Sequence, residues 1–164
     1  MVLSDKTILK AKNLIEGMNE ENLQSSSYDL TLDEMVSVNT GEPVIAIKFG
    51  EPVIAKAREW VNLPDDVVAT VILKSSYIRQ GLSVEQGHYD AGFKGHPNVQ
   101  ISTNSVQTKF LIPGKTFAQI VFYKVDTGAQ NPYDGHYQNQ RGIKKSIFNE
   151  SDESIGCIYG EISD

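Results

Sequence analysis

Residues 67–95 read VVATVILKSSYIRQGLSVEQGHYDAGFKG, and this stretch carries the strongest fold signal in the chain. Its first seven residues are almost wholly apolar, which predicts a strand buried in the core. Lysine, serine and arginine follow at once, and a glycine-bounded turn closes the stretch at 87–95. The pattern predicts a core strand that leads into polar turns.

Short β-prone runs separated by Gly and Pro turns make up most of the remaining chain. Many short strands at close spacing are typical of a β-sandwich or barrel. The predicted strands lie in SYDLTL at 27–32, in the two GEPVIA copies at 41–46 and 50–55, and in the runs at 99–103 and 117–125, with a turn at 62–66.

The two ends of the chain depart from this β pattern. Ser4 can cap a short helix in which apolar residues recur at helical spacing from Ile8 to Met18. Residues 126–164 are rich in Gly, Asn, Gln and Tyr with little periodicity, which indicates an extended C-terminal tail. We predict a single domain over residues 1–164.

Composition excludes several function classes. The chain has 164 residues, a formal net charge of −6 and one cysteine, Cys157, which forms no intrachain disulfide. The acidic excess argues against binding duplex nucleic acid, which depends on neutralising phosphates. No apolar run is long enough to span a bilayer, and the N-terminus lacks a signal-peptide pattern. We expect a cytoplasmic protein without nucleic-acid or membrane partners.

Four polar residues directly after the predicted core strand suit a polyphosphate. Two hydroxyls, two cations and nearby backbone N–H groups give phosphate oxygens several charge-assisted hydrogen bonds. The alternative is a solvated turn, and these residues alone favour that alternative. They are Lys74, Ser75, Ser76 and Arg79.

Asp90 is the acid inside the glycine-bounded turn at 87–95. A carboxylate there can accept a proton from an attacking water, or it can cap the turn through its own backbone. Phe93, three residues later, is either an apolar plate under a sugar ring or part of the core.

Gln119 and the three histidines are the remaining polar candidates. Gln119 lies on the face of a predicted strand that is opposite the strand's apolar face. Its amide therefore needs a ligand, a phosphate or a backbone group as partner. His88, His96 and His136 lack metal-ligand spacing, so we predict no metal site built by protein ligands.

Taken in order, these segments resemble the dUTPase and dCTP deaminase superfamily. The resemblance keeps one order and register through most of the chain, which is more specific than any single motif. The tail motif is of the deaminase type, unlike the glycine-rich arm of dUTPases. The matching segments are MVLSDKTI (1–8), SSYDLTL (26–32), KSSYIRQGL (74–82), GHYDAGFKG (87–95), PGKTFAQIVF (113–122) and PYDGHYQNQRG (132–142).

The resemblance implies a mainly β chain folded as a distorted jelly roll, the dUTPase-like β-clip, and assembled as a homotrimer. Three active sites would lie between subunits, each closed by a C-terminal tail. The substrate would be a deoxyuridine or deoxycytidine triphosphate. Mg²⁺ would be the cofactor, bound through the substrate phosphates.

The resemblance also implies a role for each matching residue. Asp90 would contact the sugar 3′-hydroxyl and orient the attacking water, with Phe93 against the sugar. Gln119 would lie near the α-phosphate, while His88 and His136 stand where deaminases have an arginine and a lysine. The implied substrate-binding residues are Lys74, Ser75, Ser76, Arg79, His88, Tyr89, Phe93, Gln100, Gln119, Tyr133, His136 and Gln140.

One departure from the deaminase pattern bears on the reaction. Deaminases carry a glutamate on the strand after GFKG as the proton shuttle for water attacking C4 of cytosine. Here that strand reads HPNVQISTN, and counting from its two ends places either Gln100 or Ile101 at the position. Neither side chain titrates, and loss of a general acid–base group lowers a rate by about 10²–10⁴.

We therefore expect a dUTP diphosphatase that forms dUMP and pyrophosphate by Mg²⁺-assisted water attack at the α-phosphate. The first alternative is a dCTP deaminase, which could also be dUMP-forming. It would need another acid in place of the missing glutamate, and Glu85 is the nearest in sequence. The second alternative is a non-catalytic nucleotide-binding or regulatory protein on the same scaffold.

Overall fold

The computed structural model describes residues 1–85 and 87–144. In this part of the chain the helices are α1 (Asp5–Lys10) and α2 (Ser75–Ile78), with a 3-10 turn at Glu20–Asn22. The strands are β1 (Ile15–Glu16), β2 (Leu23–Gln24), β3 (Ser27–Ser37), β4 (Ala46–Ile47), β5 (Val53–Ala57), β6 (Trp60–Asn62), β7 (Val67–Leu73), β8 (Leu82–Glu85), β9 (His88–Tyr89), β10 (Lys94–Gly95), β11 (Asn98–Thr103), β12 (Lys109–Phe110) and β13 (Thr116–Lys124).

Most of these strands join one curled antiparallel sheet. Its order is β8-β11-β5-β3-β13-β7-β9, and the short strand β2 pairs with β3 beside this path. Two smaller sheets have the orders β1-β6-β10 and β12-β4. The prediction of a mainly β, distorted jelly roll with a short N-terminal helix is confirmed.

Strand β7 positions both segments that carry candidate chemistry. Its alternate residues from Val67 to Leu73 are buried and the residues between them are half-buried, because successive side chains of a strand point to opposite faces. Burial of such apolar area contributes roughly 25 cal/mol per Å². Helix α2 begins just after the strand ends, and β9 pairs with its middle at Ala69↔Tyr89.

Strand β13 lies between β7 and β3 and alternates as predicted. Ala118, Ile120 and Phe122 are fully buried, whereas Gln119 on the opposite face is half-buried. The register with β3 sets Gln119 opposite Asp29. A polar pair therefore forms on one face of two central strands.

The N-terminal helix is shorter than the sequence pattern predicts. Ser4 is the N-cap residue, but α1 ends at Lys10 and the chain then turns. Ile15, which the helical spacing includes, is instead buried in β1, where it pairs with Val61. Strand pairing in the core therefore overrides the local helical pattern.

The two GEPVIA copies do not form equivalent strands. The first copy contributes only Ala46 to the two-residue strand β4, whose partner is β12. The second copy leads into β5, which lies between β3 and β11 inside the large sheet. Ala46 of the first copy is half-buried, whereas Ala55, the equivalent residue of the second copy, is fully buried. Position in the sheet decides the outcome of the same local sequence.

The first part of the predicted tail, residues 126–144, returns to the body of the chain. Gln140 forms a parallel bridge with Gly95 at the end of β10. Residues 145–164, and with them Cys157, lie outside the described residues. Within residues 1–85 and 87–144, neither helix has the length and apolar character that crossing a membrane requires.

Candidate functional site

A cavity of about 560 Å³ brings together seven of the thirteen predicted site residues. Its floor comes from β5 and β11, and its walls come from the turn after β8 and from the returning tail. The predicted residues that line it are His88, Tyr89, Asp90, Phe93, Gln100, Tyr133 and Gln140.

Asp90 is the carboxylate in the lining of this cavity. Its side chain is 62% exposed, and its Oδ1 lies 3.4 Å from Nε2 of His88. The Asp90 backbone carbonyl closes the turn by accepting a bond of 3.1 Å from the Phe93 N–H. The turn thus uses the backbone of Asp90, and the carboxylate faces solvent and the imidazole, where a ligand can reach it.

The aromatic residues of the turn form a buried wall. Tyr89 and Phe93 are 7% and 3% exposed, and their ring centroids lie 4.9 Å apart. The Tyr89 hydroxyl donates a bond of 2.9 Å to the Asn98 carbonyl, and burial raises the pKa of that hydroxyl. Phe93 is both a core residue and a lining residue, so its two sequence interpretations are compatible.

Burial along β11 distinguishes the two residues that the sequence analysis considered for the position of the deaminase glutamate. Gln100 is exposed and lines the cavity, whereas Ile101 is fully buried in the core. Alternation along a strand places the two side chains on opposite faces. Of the two residues that the sequence analysis left open, Gln100 is therefore the one that faces the cavity, which receives an amide from β11.

The predicted phosphate-binding residues lie in a second group around α2. Ser75, Ser76 and Arg79 are exposed. Lys74 is half-buried, and its ammonium group donates to the Asp29 carboxylate and, over 3.0 Å, to Oγ1 of Thr116. Two of the three Lys74 donors are therefore engaged within the chain.

Asp29 is the functional candidate that sequence reasoning missed. Its carboxylate is 8% exposed, and its Oδ1 accepts a bond of 3.0 Å from Nε2 of Gln119. Asp29 therefore orients Lys74 and Gln119 together. The signal was present in SYDLTL, where an acid stands within an otherwise strand-forming run. The partner of the Gln119 amide is a carboxylate, which the sequence analysis did not consider.

The two groups are separated within one chain. The cavity does not include Lys74, Ser75, Ser76, Arg79 or Gln119 in its lining. Strand β9 joins β7 at Thr70, four residues before Lys74, which corresponds to about 13 Å along an extended strand.

The returning tail docks on the glycine-bounded turn of the same chain. The Tyr133 N–H donates a bond of 2.8 Å to the Ala91 carbonyl. Gln138 donates to the carbonyls of Gly92 and Tyr133 at 2.9 and 2.7 Å. Gly92 has φ +91°, and a Cβ there would meet the Cβ of Pro132 at 2.6 Å. The glycine is therefore required for the tail to approach this closely.

The tail brings two predicted residues to the cavity and leaves one outside it. Gln140 is 4% exposed, and its Nε2 donates a bond of 2.9 Å to the His96 carbonyl. His136 is exposed and does not appear in the lining. Its carbonyl accepts a bond of 2.6 Å from Nζ of Lys144, a lining residue that the sequence analysis did not single out.

The chain that forms this jelly roll is similar to known proteins of one class. A family model described as dCTP deaminase-like matches residues 33–125. A dCTP deaminase of Thermococcus sibiricus is 32% identical over 152 residues, covering 89% of this chain and 97% of that protein. The chain therefore belongs to the dCTP deaminase-like family of the dUTPase and dCTP deaminase superfamily.

A relative whose name gives a different reaction is also similar. A probable deoxyuridine 5′-triphosphate nucleotidohydrolase of Sulfolobus islandicus rod-shaped virus 1 is 30% identical over 154 residues, covering 87% of this chain and 96% of that protein.

Among solved structures, the 2′-deoxycytidine 5′-triphosphate deaminase of Agrobacterium tumefaciens matches with a TM-score of 0.64 and 20% identity. That match covers 74% of this chain but 47% of the deaminase, about half its length, and shows the fold alone.

Proposed function

We propose that this protein is a dUTP diphosphatase, which hydrolyses dUTP to dUMP and pyrophosphate. The observation that carries the proposal is the pairing of an exposed acid, Asp90, with an amide, Gln100, in one cavity. Hydrolysis at the α-phosphate needs an oriented water and charge stabilisation. Deamination needs a titratable group at the base, and Gln100 does not titrate.

The proposed reaction uses the free oxygen of Asp90. His88 lies beside Oδ1, which leaves Oδ2 to accept a proton from the attacking water. The water oxygen forms a bond to the α-phosphorus, and the bond from that phosphorus to the bridging oxygen of the β-phosphate breaks. The electron pair leaves on pyrophosphate. Phe93 supports the sugar, because its ring lies in the cavity wall next to the turn.

Magnesium belongs to the substrate in this proposal. Mg²⁺ prefers oxygen ligands and is commonly held by one or two carboxylates together with substrate phosphates. The phosphate oxygens of dUTP supply such ligands, so the free oxygen of Asp90 stays available to the attacking water. Within residues 1–85 and 87–144, no group of three or more His, Cys, Asp or Glu side chains is placed to hold a metal. When bound, the ion neutralises phosphate charge.

We also propose that the complete site forms in a homotrimer. The group around α2 offers hydroxyls and Arg79 for phosphates, whereas the cavity offers Asp90 and Gln100. Within one chain these two groups of residues lie apart. A neighbouring copy can supply the missing group to each cavity. Light scattering should give three times 18.1 kDa; a monomer at micromolar concentration would contradict the shared site.

Deamination of dCTP is the second candidate. The name of the Thermococcus sibiricus relative favours it, and the viral relative's name favours dUTP hydrolysis. The amide of Gln100 is evidence against deamination, which would need a carboxylate from another residue to carry the proton at the base. The third candidate is a non-catalytic nucleotide binder, and turnover of a nucleotide would exclude it.

Product analysis tests the proposal. The protein is incubated with Mg²⁺ and either dUTP or dCTP, and the products are separated by anion exchange. We expect dUMP and pyrophosphate from dUTP. Intact dUTP after prolonged incubation would contradict the proposal, and tight binding without turnover would identify a nucleotide binder instead.

A further inference from the structure

A second cavity, of about 970 Å³, lies against the returning tail. Its walls come from the end of α1, the turn before β7, the glycine-bounded turn and the tail itself. We call it the lysine cavity, after Lys10, Lys12 and Lys94 in its lining. Tyr133 is the one residue that lines both this cavity and the cavity of Asp90. The proposed hydrolysis uses no other residue of the lysine cavity.

The three lysines bring unneutralised positive charge to this cavity. Lys10 is the last residue of α1, Lys12 follows it closely, and Lys94 lies on β10. In the part of the chain that the structure describes, none of their ammonium groups forms an ion pair with a carboxylate. Ammonium groups bind phosphate oxygens through charge-assisted hydrogen bonds. The cavity therefore offers donors for a phosphorylated ligand, although the whole chain carries a net charge of −6.

The rest of the lining gives the cavity an apolar wall. Leu63 and Val67 are 1% and 6% exposed, and Pro64 and Pro132 lie in the same lining. Small-molecule sites typically have volumes of about 300–1,000 Å³ and combine apolar walls with a few polar groups. The lysine cavity therefore has room for a ring as well as for phosphates.

Two carboxylates make a bare phosphate chain a poorer match than a nucleotide. Asp65 and Asp134 also line the cavity, so three positive charges stand against two negative ones. Carboxylates accept hydrogen bonds from hydroxyls, and an acid that binds a ribose hydroxyl is common in nucleotide sites. Lysines, an apolar wall and acids together favour a ligand with phosphates, a ring and a sugar.

Backbone and side-chain hydrogen bonds connect the lysine cavity to the docked tail. The Lys94 N–H donates a bond of 2.7 Å to Oε1 of Gln138, and the Asn139 N–H donates one of 2.8 Å to the Lys94 carbonyl. Gln138 is itself a lining residue. A ligand held between Lys12 and Lys94 would therefore contact the body and the tail together. Such a ligand stabilises the docked arrangement, because it binds that arrangement preferentially.

We propose that the lysine cavity is an effector site for a nucleoside polyphosphate, separate from the substrate site. Occupancy holds the tail against the glycine-bounded turn. Because Tyr133 also lines the cavity of Asp90, the effector reaches the proposed catalytic site through the tail. Binding of the effector does not depend on which reaction that catalytic site performs.

Calorimetric titration with ATP tests the site. Mg²⁺ and a saturating non-hydrolysable dUTP analogue are present, so that the cavity of Asp90 is already filled. The wild type should bind one further ATP per chain. The double variant Lys12→Gln with Lys94→Gln should weaken that binding by at least about tenfold, because two charge-assisted hydrogen bonds are lost. Lys6→Gln is the matched control, since Lys6 is an exposed lysine of α1 outside the lining, and it should bind as the wild type does.

Hydrogen exchange gives a readout at the tail. ATP should slow exchange of the Tyr133 amide in the wild type and in Lys6→Gln, but not in the double variant. Thermal unfolding checks that all three proteins are folded. Inorganic tripolyphosphate should bind more weakly than ATP, and equal affinity for the two would overturn the assignment of a nucleoside ligand.

The titration separates this proposal from the proposed function. A wild type that binds the dUTP analogue but no further ATP would overturn the effector site and leave the diphosphatase intact. Equal ATP affinity in the wild type and the double variant would also overturn it. ATP binding that depends on Lys12 and Lys94, in a protein that does not bind the dUTP analogue, would contradict the diphosphatase and support the effector site.

Discussion

The side-chain amide of Gln119 donates a hydrogen bond of 3.0 Å to the buried carboxylate of Asp29, across paired strands of the central sheet. The same carboxylate accepts from the ammonium group of Lys74. One acid therefore fixes two residues that the sequence analysis expects to lie near phosphates. Buried hydrogen-bonded networks of this kind hold side chains in one arrangement.

Replacing Asp29 should destabilise the protein and disturb this arrangement. Asp29→Asn removes the charge that faces Lys74 and leaves a buried donor poorly paired, so we expect a loss of about 1–3 kcal/mol in the free energy of unfolding. Urea denaturation measures it. Asp134→Asn, at an exposed aspartate, is the control and should leave stability within about 0.5 kcal/mol. Equal midpoints for both variants would show that the network contributes little.

Substitution of Gly92 should displace the tail. Gly92→Ala adds a Cβ that would lie 2.6 Å from Pro132, at a residue with φ +91°. Gly17→Ala is a matched control, because Gly17 has φ +68° but nothing within 4 Å of the added Cβ. Hydrogen exchange should show faster exchange of the Tyr133 amide in Gly92→Ala alone. Unchanged protection of that amide would contradict the docking account.

The fluorescence of Trp60, the one tryptophan of the sequence, should depend on the position of the returning tail. The Arg141 guanidinium carbon lies 5.0 Å from the centroid of the Trp60 ring, a cation–π contact worth about 0.5–1 kcal/mol when exposed. Arg141→Ala should expose the indole and shift its emission to longer wavelength. Arg79→Ala removes an exposed arginine that follows α2 and should leave the spectrum unchanged. Identical spectra for wild type and Arg141→Ala would contradict this packing.

Alkaline pH should weaken the fold through Tyr89. Burial raises the pKa of its hydroxyl above the ordinary value of 10.0, so above pH 10 the unfolded chain loses a proton that the folded chain keeps. The free energy of unfolding therefore falls as pH rises past that point. Tyr89→Phe removes this proton, and its stability should fall less steeply above pH 10 in urea titrations. Parallel slopes for the two proteins would contradict the assignment.

Much of the site could be predicted because its residues follow one another along the chain. The turn at 87–95 needs only local geometry to present Asp90 and Phe93 together. The same holds for Ser75, Ser76 and Arg79, which lie together because α2 begins with the two serines and Arg79 is its C-cap residue. Periodicity likewise predicted the buried strand β7.

The features that the sequence left undecided depend on long-range pairing, which local sequence does not encode. The choice between Gln100 and Ile101 is a choice of strand face, and a shift of one residue inverts it. The partnership of Asp29 with Gln119 joins residues 90 positions apart. The pairing of Glu85 with Gln100 arises only from the register of β8 with β11.

Asp90 activates the water that hydrolyses dUTP in the proposed reaction, and one variant tests this role most directly. Asp90→Asn keeps the shape of the side chain but removes its basicity. With Mg²⁺ and saturating dUTP, it should form dUMP about 10²–10⁴ more slowly than wild type, while a non-hydrolysable dUTP analogue still binds. Near wild-type dUMP formation by Asp90→Asn would contradict the account.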